Sequence, residues 1–336
     1  MKTGKTGIGK IIIIAVVAVC IGALVGAAGM AKENAHTHSP GYVSEAALPN
    51  TERAGGSKVY FTGDISSKGI LAVYRALGVP VSGKVAIKLH MGEPGNQNYL
   101  RPELLRDLTL AVNGTFTDSN TAYGGRRGNT ASHLQAAKDH GFTYAPVDIL
   151  DAEGTVKLPI KNGRHLQEAL LGSHISNYDW IISVAHFKGH SMAGFGGTFK
   201  NLAIGIATPE GKRAIHSNPG GAMFSSSGEA FFEKVIEYNT ALLDAKPGRV
   251  LYINVLNNLS VDCDCSARAP KATMADIGIL ASTDPVALEK ASLDQVYARP
   301  DNKDLVGRIE SRGGAHQVVY AEKMGLGKQS YELIRL

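Results

Sequence analysis

His186 and His190 stand four residues apart in AHFKGHSMAGFGGTFKNLAIG (residues 185 to 205), ahead of a glycine-rich turn and of Lys200 in an apolar run. Imidazole suits both metal ligation and proton transfer near neutral pH. Glycine lets backbone approach closely. A lysine on the first turns of the helix TFKNLAIGI must snorkel outward, pair with an acid or face a site. The plainer reading is a turn entering a buried helix. The two are compatible: the glycines make the turn, the apolar residues pack and the polar side chains border a site. On this basis His186 and His190 are candidate metal ligands, and His190 with Lys200 is a candidate reactive pair.

Three further stretches carry similar chemistry. In KLHMGEPGN (88 to 96), Lys88 and His90 alternate with apolar Ile87 and Leu89, so both point from one strand face. Lys88 is a candidate anion ligand, and His90 and Glu93 are candidate acids or bases; the plainer reading is a partly exposed strand end with a salt bridge. In DSNTAYGGRRGN (118 to 129), Gly124, Gly125 and Gly128 allow close approach, and Tyr123, Arg126 and Arg127 could hold a carboxylate or phosphate. Neither a P-loop nor a dinucleotide spacing is met, and a solvated turn is the alternative.

The fourth stretch is NLSVDCDCSARAP (258 to 270), where Cys263 and Cys265 flank Asp264. Thiolates two residues apart can chelate a soft metal where the backbone turns, whereas in a regular strand they would point to opposite faces. A strained disulfide or a redox-active pair is the alternative in an oxidising compartment. Two cysteines cannot complete a four-thiolate cluster. A metal or iron–sulfur site must therefore borrow histidine, carboxylate, solvent or a second chain. Asp284 reads as a helix cap, with Pro285 at the first helical position.

These stretches need a scaffold. Short apolar runs (KVYFTG, KVAIKLHMG, TFTDSN, APVDIL, DWIISVAH, RVLYINVL) alternate with helical patterns (KGILAVYRALG, RPELLRDLTLAVNG, TASHLQAAKDHGF, then 229 to 243, 285 to 297 and 315 to 325). Such alternation predicts an α/β fold: a mainly parallel sheet with helices on both faces, as a single body or as two intimately packed lobes. The four loops, after Lys88, Ser119, Ala185 and Leu256, then lie beyond the carboxyl ends of strands, where open α/β sheets collect their ligands.

The chain has 336 residues, 44% hydrophobic and 19% charged, enough for a substantial core. Its formal charge of +5 falls to +2 without Lys2, Lys5 and Lys10, which gives no argument for nucleic acid. Those lysines precede the uncharged run IIIIAVVAVCIGALVGAAG (11 to 29). Residues 1 to 31 therefore read as a signal peptide or membrane anchor, 32 to 57 as a polar linker and 58 to 336 as an α/β domain working outside the cytoplasm.

Taken together, KLHMGEPGNQNYLRPELLRD, DSNTAYGGRRGNTASHLQAAKDHGF, AHFKGHSMAGFGGTFKNLAIG, GKRAIHSNPG and DCDCSARAPKATMADIGILASTDPVALEKASLDQV resemble the domain of unknown function 362 family over roughly residues 58 to 325. That resemblance implies a link to ferredoxin-type iron–sulfur modules. Many similar proteins carry a cysteine-rich insert after the segment resembling GKRAIHSNPG, whereas residues 219 to 232 here contain no cysteine, so this chain has no ferredoxin-type insert. A second similarity is to nickel-pincer lactate racemases, in which a histidine precedes a lysine by the spacing of His190 and Lys200. It implies a lysine-held nickel cofactor and proton-moving histidines; the rest of that pattern is not placed in this sequence. The combined expectation is an exported metal- or iron–sulfur-associated protein in a redox-related role. Its partners would be a small anionic ligand and a redox partner or second chain. The alternatives are a non-enzymatic extracytoplasmic binding protein and a purely thiol-based redox protein.

Overall fold

Apolar runs of four to seven residues bounded by turns become strands, and each amphipathic stretch between them becomes a helix packed on the sheet. The computed structural model describes residues 52 to 268 and 270 to 336, with side chains from residue 55 onward. The leader and most of the linker lie outside those residues. No described helix is long and apolar enough to cross a membrane.

Strand β1 (Glu52–Thr62) leads into α1 (Ser67–Ala76), whose first turn is capped by Ser66. Then come β2 (Val85–Lys88), α2 (Arg106–Val112) and β3 (Thr115–Asp118). Helix α3 (Thr130–Asp139), capped by Asn129, precedes β4 (Val147–Ile149) and a hairpin of β5 (Thr155–Pro159) and β6 (Glu168–Gly172). The run WIISVAH forms β7 (Trp180–His186), buried throughout. A small ribbon follows, β8 (Lys188–His190) with β9 (Gly194–Gly196), and opens α4 (Thr198–Ile206). Thr208 and Pro209 start α5 (Pro209–His216), before α6 (Gly228–Ala245). The chain closes with β10 (Val250–Leu256), β11 (Gly278–Ser282), α7 (Pro285–Tyr297), α8 (Lys303–Ser311), α9 (His316–Lys323) and β12 (Tyr331–Arg335). Asp284 caps α7 through Val286 N and Ala287 N, as its sequence predicts.

The main sheet has the order β12-β1-β11-β10-β7-β2-β3-β4, and only β11 runs antiparallel to its neighbours. Successive residues of one strand feed opposite cores. Ile181, Val250 and Tyr252 pack with Leu202, Phe231, Val235, Leu288 and Val318 on one face. Ile182, Val184, Leu251 and Ile253 pack with Ile70, Val73, Leu108 and Ala137 on the other. The expected α/β class and two-faced helical cover are therefore present. The described residues form one compact unit in place of two lobes, because the same sheet is shared by both cores. Strand β1 begins at Glu52, inside the segment read as linker, where it pairs with β12 through a bulge.

From β2 the chain steps outward to β3 and β4, then returns to lay β7 on the other side of β2 and β10 beyond it. Strand order thus reverses between β2 and β7, with Lys88 opposite Ser183 and Val255 opposite His186. The crevice beyond the carboxyl ends at such a reversal is the natural ligand site of an open α/β sheet.

Candidate functional site

All four predicted loops meet at this crevice. Glu93 N donates to Asp264 O at 3.0 Å, Asn96 Nδ2 to Ser266 O at 2.7 Å, and Gly189 N to Ser260 O at 2.7 Å. Ser119 Oγ reaches Gly205 O and Ala207 O, both at 2.9 Å, so the loop after β3 is tied to the end of α4. The resulting cleft is narrow, with an accessible cavity volume of about 40 Å³, and is lined by Lys88, His90, Tyr123, Arg127, Lys200 and Cys263 among others.

One wall is an ion-pair network. Lys88 Nζ lies 3.2 Å from Asp118 Oδ1 and donates to Leu89 O at 2.8 Å and Asn201 Oδ1 at 3.1 Å. Burial lowers its basicity and the carboxylate opposes that loss. Gly205 is required beside it, since a β-carbon there would lie 2.3 Å from the ammonium. Burial alone would raise the pKa of Asp118, but Lys88 and His133 hold it well below the usual carboxylate range. Arg127 donates Nε to Glu93 Oε2 at 2.8 Å and sets Nη1 3.6 Å from Asp118 Oδ2. Its Nη2 is buried with no hydrogen-bond partner among the described residues.

Glu93 also accepts from Arg126 N at 2.9 Å, and this packing leaves no room for a β-carbon at Gly125, where φ is +86°. Glu93 is therefore an anchor for Arg127. The Arg126 side chain points away, pairing with Asp139 at 3.0 Å on the half-exposed surface. Of the two adjacent arginines, only Arg127 faces the cleft. Tyr123 is 39% exposed and stands at the rim with Phe224 and His216.

The other wall carries sulfur and imidazole. His190, Cys263 and Cys265 offer ligand atoms within 4.8 Å of one another, so among the described residues this group could share a metal ion. The Cys265 thiol, with Lys200 and Lys188, holds Cys263 below the ordinary thiol range, and Lys200 Nζ is 3.9 Å from its sulfur. The two sulfurs fit a soft ion. His190 fits less well: its Nδ1 accepts from Ala193 N at 2.9 Å and Met192 N at 3.2 Å, so in the neutral ring Nε2 carries the proton. A ligating histidine ordinarily donates from its second nitrogen. His90 shows the same arrangement, its Nδ1 accepting from Gly92 N at 2.9 Å. Burial pushes both imidazoles well below the usual histidine range, which makes them neutral N–H donors.

His186 stands apart from the sulfurs in its bonding. Nδ1 is 2.7 Å from Asp264 Oδ2 and Nε2 is 2.6 Å from Asn257 O, so both nitrogens are engaged by oxygen and neither is left for a metal. Strand β7 delivers this ring beneath the loop after β10, and Lys188 joins it on Asp264 at 3.1 Å. The metal-ligand reading thus narrows to the thiols.

Several residues of the cleft, Asp118, Lys188, Asn201 and Lys212, carried no sequence assignment, nor did Asp264, buried behind it against His186 and Lys188. Asp118 ends β3 and Asp264 lies between the cysteines, so the carboxyl-end rule and their neighbours were available signals. Lys212 lies in GKRAIHSNPG, a segment that carries the family resemblance, but helical spacing alone does not show that this lysine turns inward.

The family described as Domain of unknown function (DUF362) matches residues 85–294, well over half the chain. No curated protein matches. Among solved structures, the lactate racemase apoprotein from Thermoanaerobacterium thermosaccharolyticum is 17% identical, with a TM-score of 0.44 over 74% of this chain and 58% of that one. A protein from Thermotoga maritima is 9% identical, with a TM-score of 0.36 over 76% of this chain and 58% of that one. The chain spans less than two thirds of the length of either structure.

Proposed function

The chain belongs to the domain of unknown function 362 family, and from that premise we propose that its cleft binds a small carboxylate-bearing ligand beside a soft metal ion held by Cys263 and Cys265. The observation that carries this reading is Arg127 Nη2, a buried charged donor without a hydrogen-bond partner among the described residues, on a side chain that lines the same cleft as the thiols. Leaving such a donor unsatisfied costs about 1–3 kcal/mol, which an incoming oxygen anion would recover. Lys88 adds charge, while His90 and His190 add neutral N–H donors. A thiolate-held soft metal would supply Lewis acidity or electron transfer, in keeping with a redox-related role. Asp264 fixes His186 and Lys188 behind the sulfurs and so holds the loop that presents them.

With two thiols at the site, remaining coordination positions fall to the ligand, solvent or a second chain. The apolar run at residues 11 to 29 supports work outside the cytoplasm, secreted or tethered.

Elemental analysis of anaerobically purified protein tests the metal half of this reading. Wild type is expected to carry close to one soft metal per chain, and the Cys263→Ser/Cys265→Ser variant none. Metal-free wild type, or equal metal in both, contradicts it.

A further inference from the structure

One cleft-lining group has no role in that reading. Lys212, on α5, is only 3% exposed. Lys88 is paired with Asp118 and Lys188 with Asp264. Lys212 has no carboxylate at ion-pair distance among the described residues, and Asp118 and Asp151 act on it only from beyond contact.

Its two hydrogen bonds are informative. Nζ donates to Ala207 O at 2.6 Å and to Ser119 Oγ at 2.8 Å. Ser119 directs its own proton to Gly205 O or Ala207 O, so toward the lysine it acts as an acceptor. Two acceptors match the two N–H bonds of a neutral amine and leave its lone pair for the cleft. An ammonium would bury a third N–H without a partner. Burial also lowers Lys212 to about 7, so the amine is substantially populated at neutral pH.

We propose that Lys212 is a nucleophile that condenses reversibly with the carbonyl of a small oxo acid whose carboxylate is held by Arg127. The proposal rests on the carboxylate reading of the cleft. The Nζ lone pair forms a bond to the carbonyl carbon while the C=O π pair moves to oxygen, which takes up a proton. The resulting carbinolamine loses that hydroxyl as water, with an N–H proton, to give the imine. Amine and carbonyl become imine and water, so no oxidant or reductant takes part.

The test is reductive trapping on the full chain. Protein is incubated with pyruvate or glyoxylate and borohydride, and modified lysines are mapped by peptide mass spectrometry. The expected result is one dominant adduct on Lys212 that saturates with oxo acid. Lys212→Arg, which keeps a cation and is checked for folding by circular dichroism, should lower total labelling at least tenfold. Adducts spread over surface lysines, or unchanged labelling of Lys212→Arg, overturn the proposal. A parallel calorimetric titration with propionate, which has no carbonyl to trap, separates the two ideas. Propionate binding without a Lys212 adduct removes the nucleophile and leaves the carboxylate site standing. Absence of both removes both.

Discussion

Arg127 and Glu93, 34 positions apart, form a buried pair with Nε 2.8 Å from Oε2, on an arginine that lines the cleft and whose Nη2 has no hydrogen-bond partner among the described residues. Glu93→Ala leaves Arg127 with only its longer contact to Asp118 and removes the acceptor of Arg126 N. The expected loss is about 3 kcal/mol in urea unfolding, as for other broken buried pairs. Glu93→Gln keeps an oxygen for the amide and should cost about 1 kcal/mol. A Glu93→Ala variant as stable as wild type would show that the pair does not organise this loop.

Gly205→Ala should destabilise despite its place in a helix. At an ordinary helix position the change gains about 1 kcal/mol. Here the new β-carbon would lie 2.3 Å from Lys88 Nζ, and that ammonium is pinned by Asp118, Asn201 and a backbone carbonyl. A loss of about 2 kcal/mol is expected. Combining it with Lys88→Met should cost less than the sum of the two single changes, a coupling read from a double-mutant cycle. Additive losses would contradict the steric account.

Glu289 predicts a pH dependence of stability. Its carboxylate sits at the start of α4, accepting from Phe199 N at 3.0 Å and from Asn254 at 3.3 Å, and burial raises it to about 7 despite these donors. With a folded value above the unfolded one, near 4.5, the folded chain binds more protons between pH 4.5 and 7. This group's contribution to stability therefore falls as pH rises through that window, by up to about 3 kcal/mol. Glu289→Gln should flatten that part of the profile in denaturant titrations at stepped pH. An unchanged slope would argue against an uncompensated carboxylate at this position.

The fold was legible because period and burial agree. WIISVAH and VLYINVL are buried at every position and apolar at most, Ser183, His186 and Asn254 apart, and the capping residues Asn129 and Asp284 act where their types predict. The hairpin of β5 and β6 was not read, since its first strand alternates exposed and half-buried residues outside the main sheet. The β8–β9 ribbon was hidden by glycines that look like turn. Within the site, the loops were legible and the aim of their side chains was not. Adjacent Arg126 and Arg127 diverge according to whether Asp139 or Glu93 is in reach, and His186 and His190 differ in which atoms meet their rings. For Arg126, Arg127 and His186 the deciding contacts are 13 to 78 residues distant in sequence, which spacing cannot encode, whereas the His190 ring is held by amides two and three residues on.

The central claim is that Arg127 receives a carboxylate in the crevice between β2 and β7, and calorimetric titration of wild type and Arg127→Gln with propionate measures it directly. The account predicts saturable one-to-one binding by wild type and affinity at least tenfold weaker in the variant, with the fold intact by circular dichroism. No binding by wild type, or equal affinity in both proteins, would contradict it.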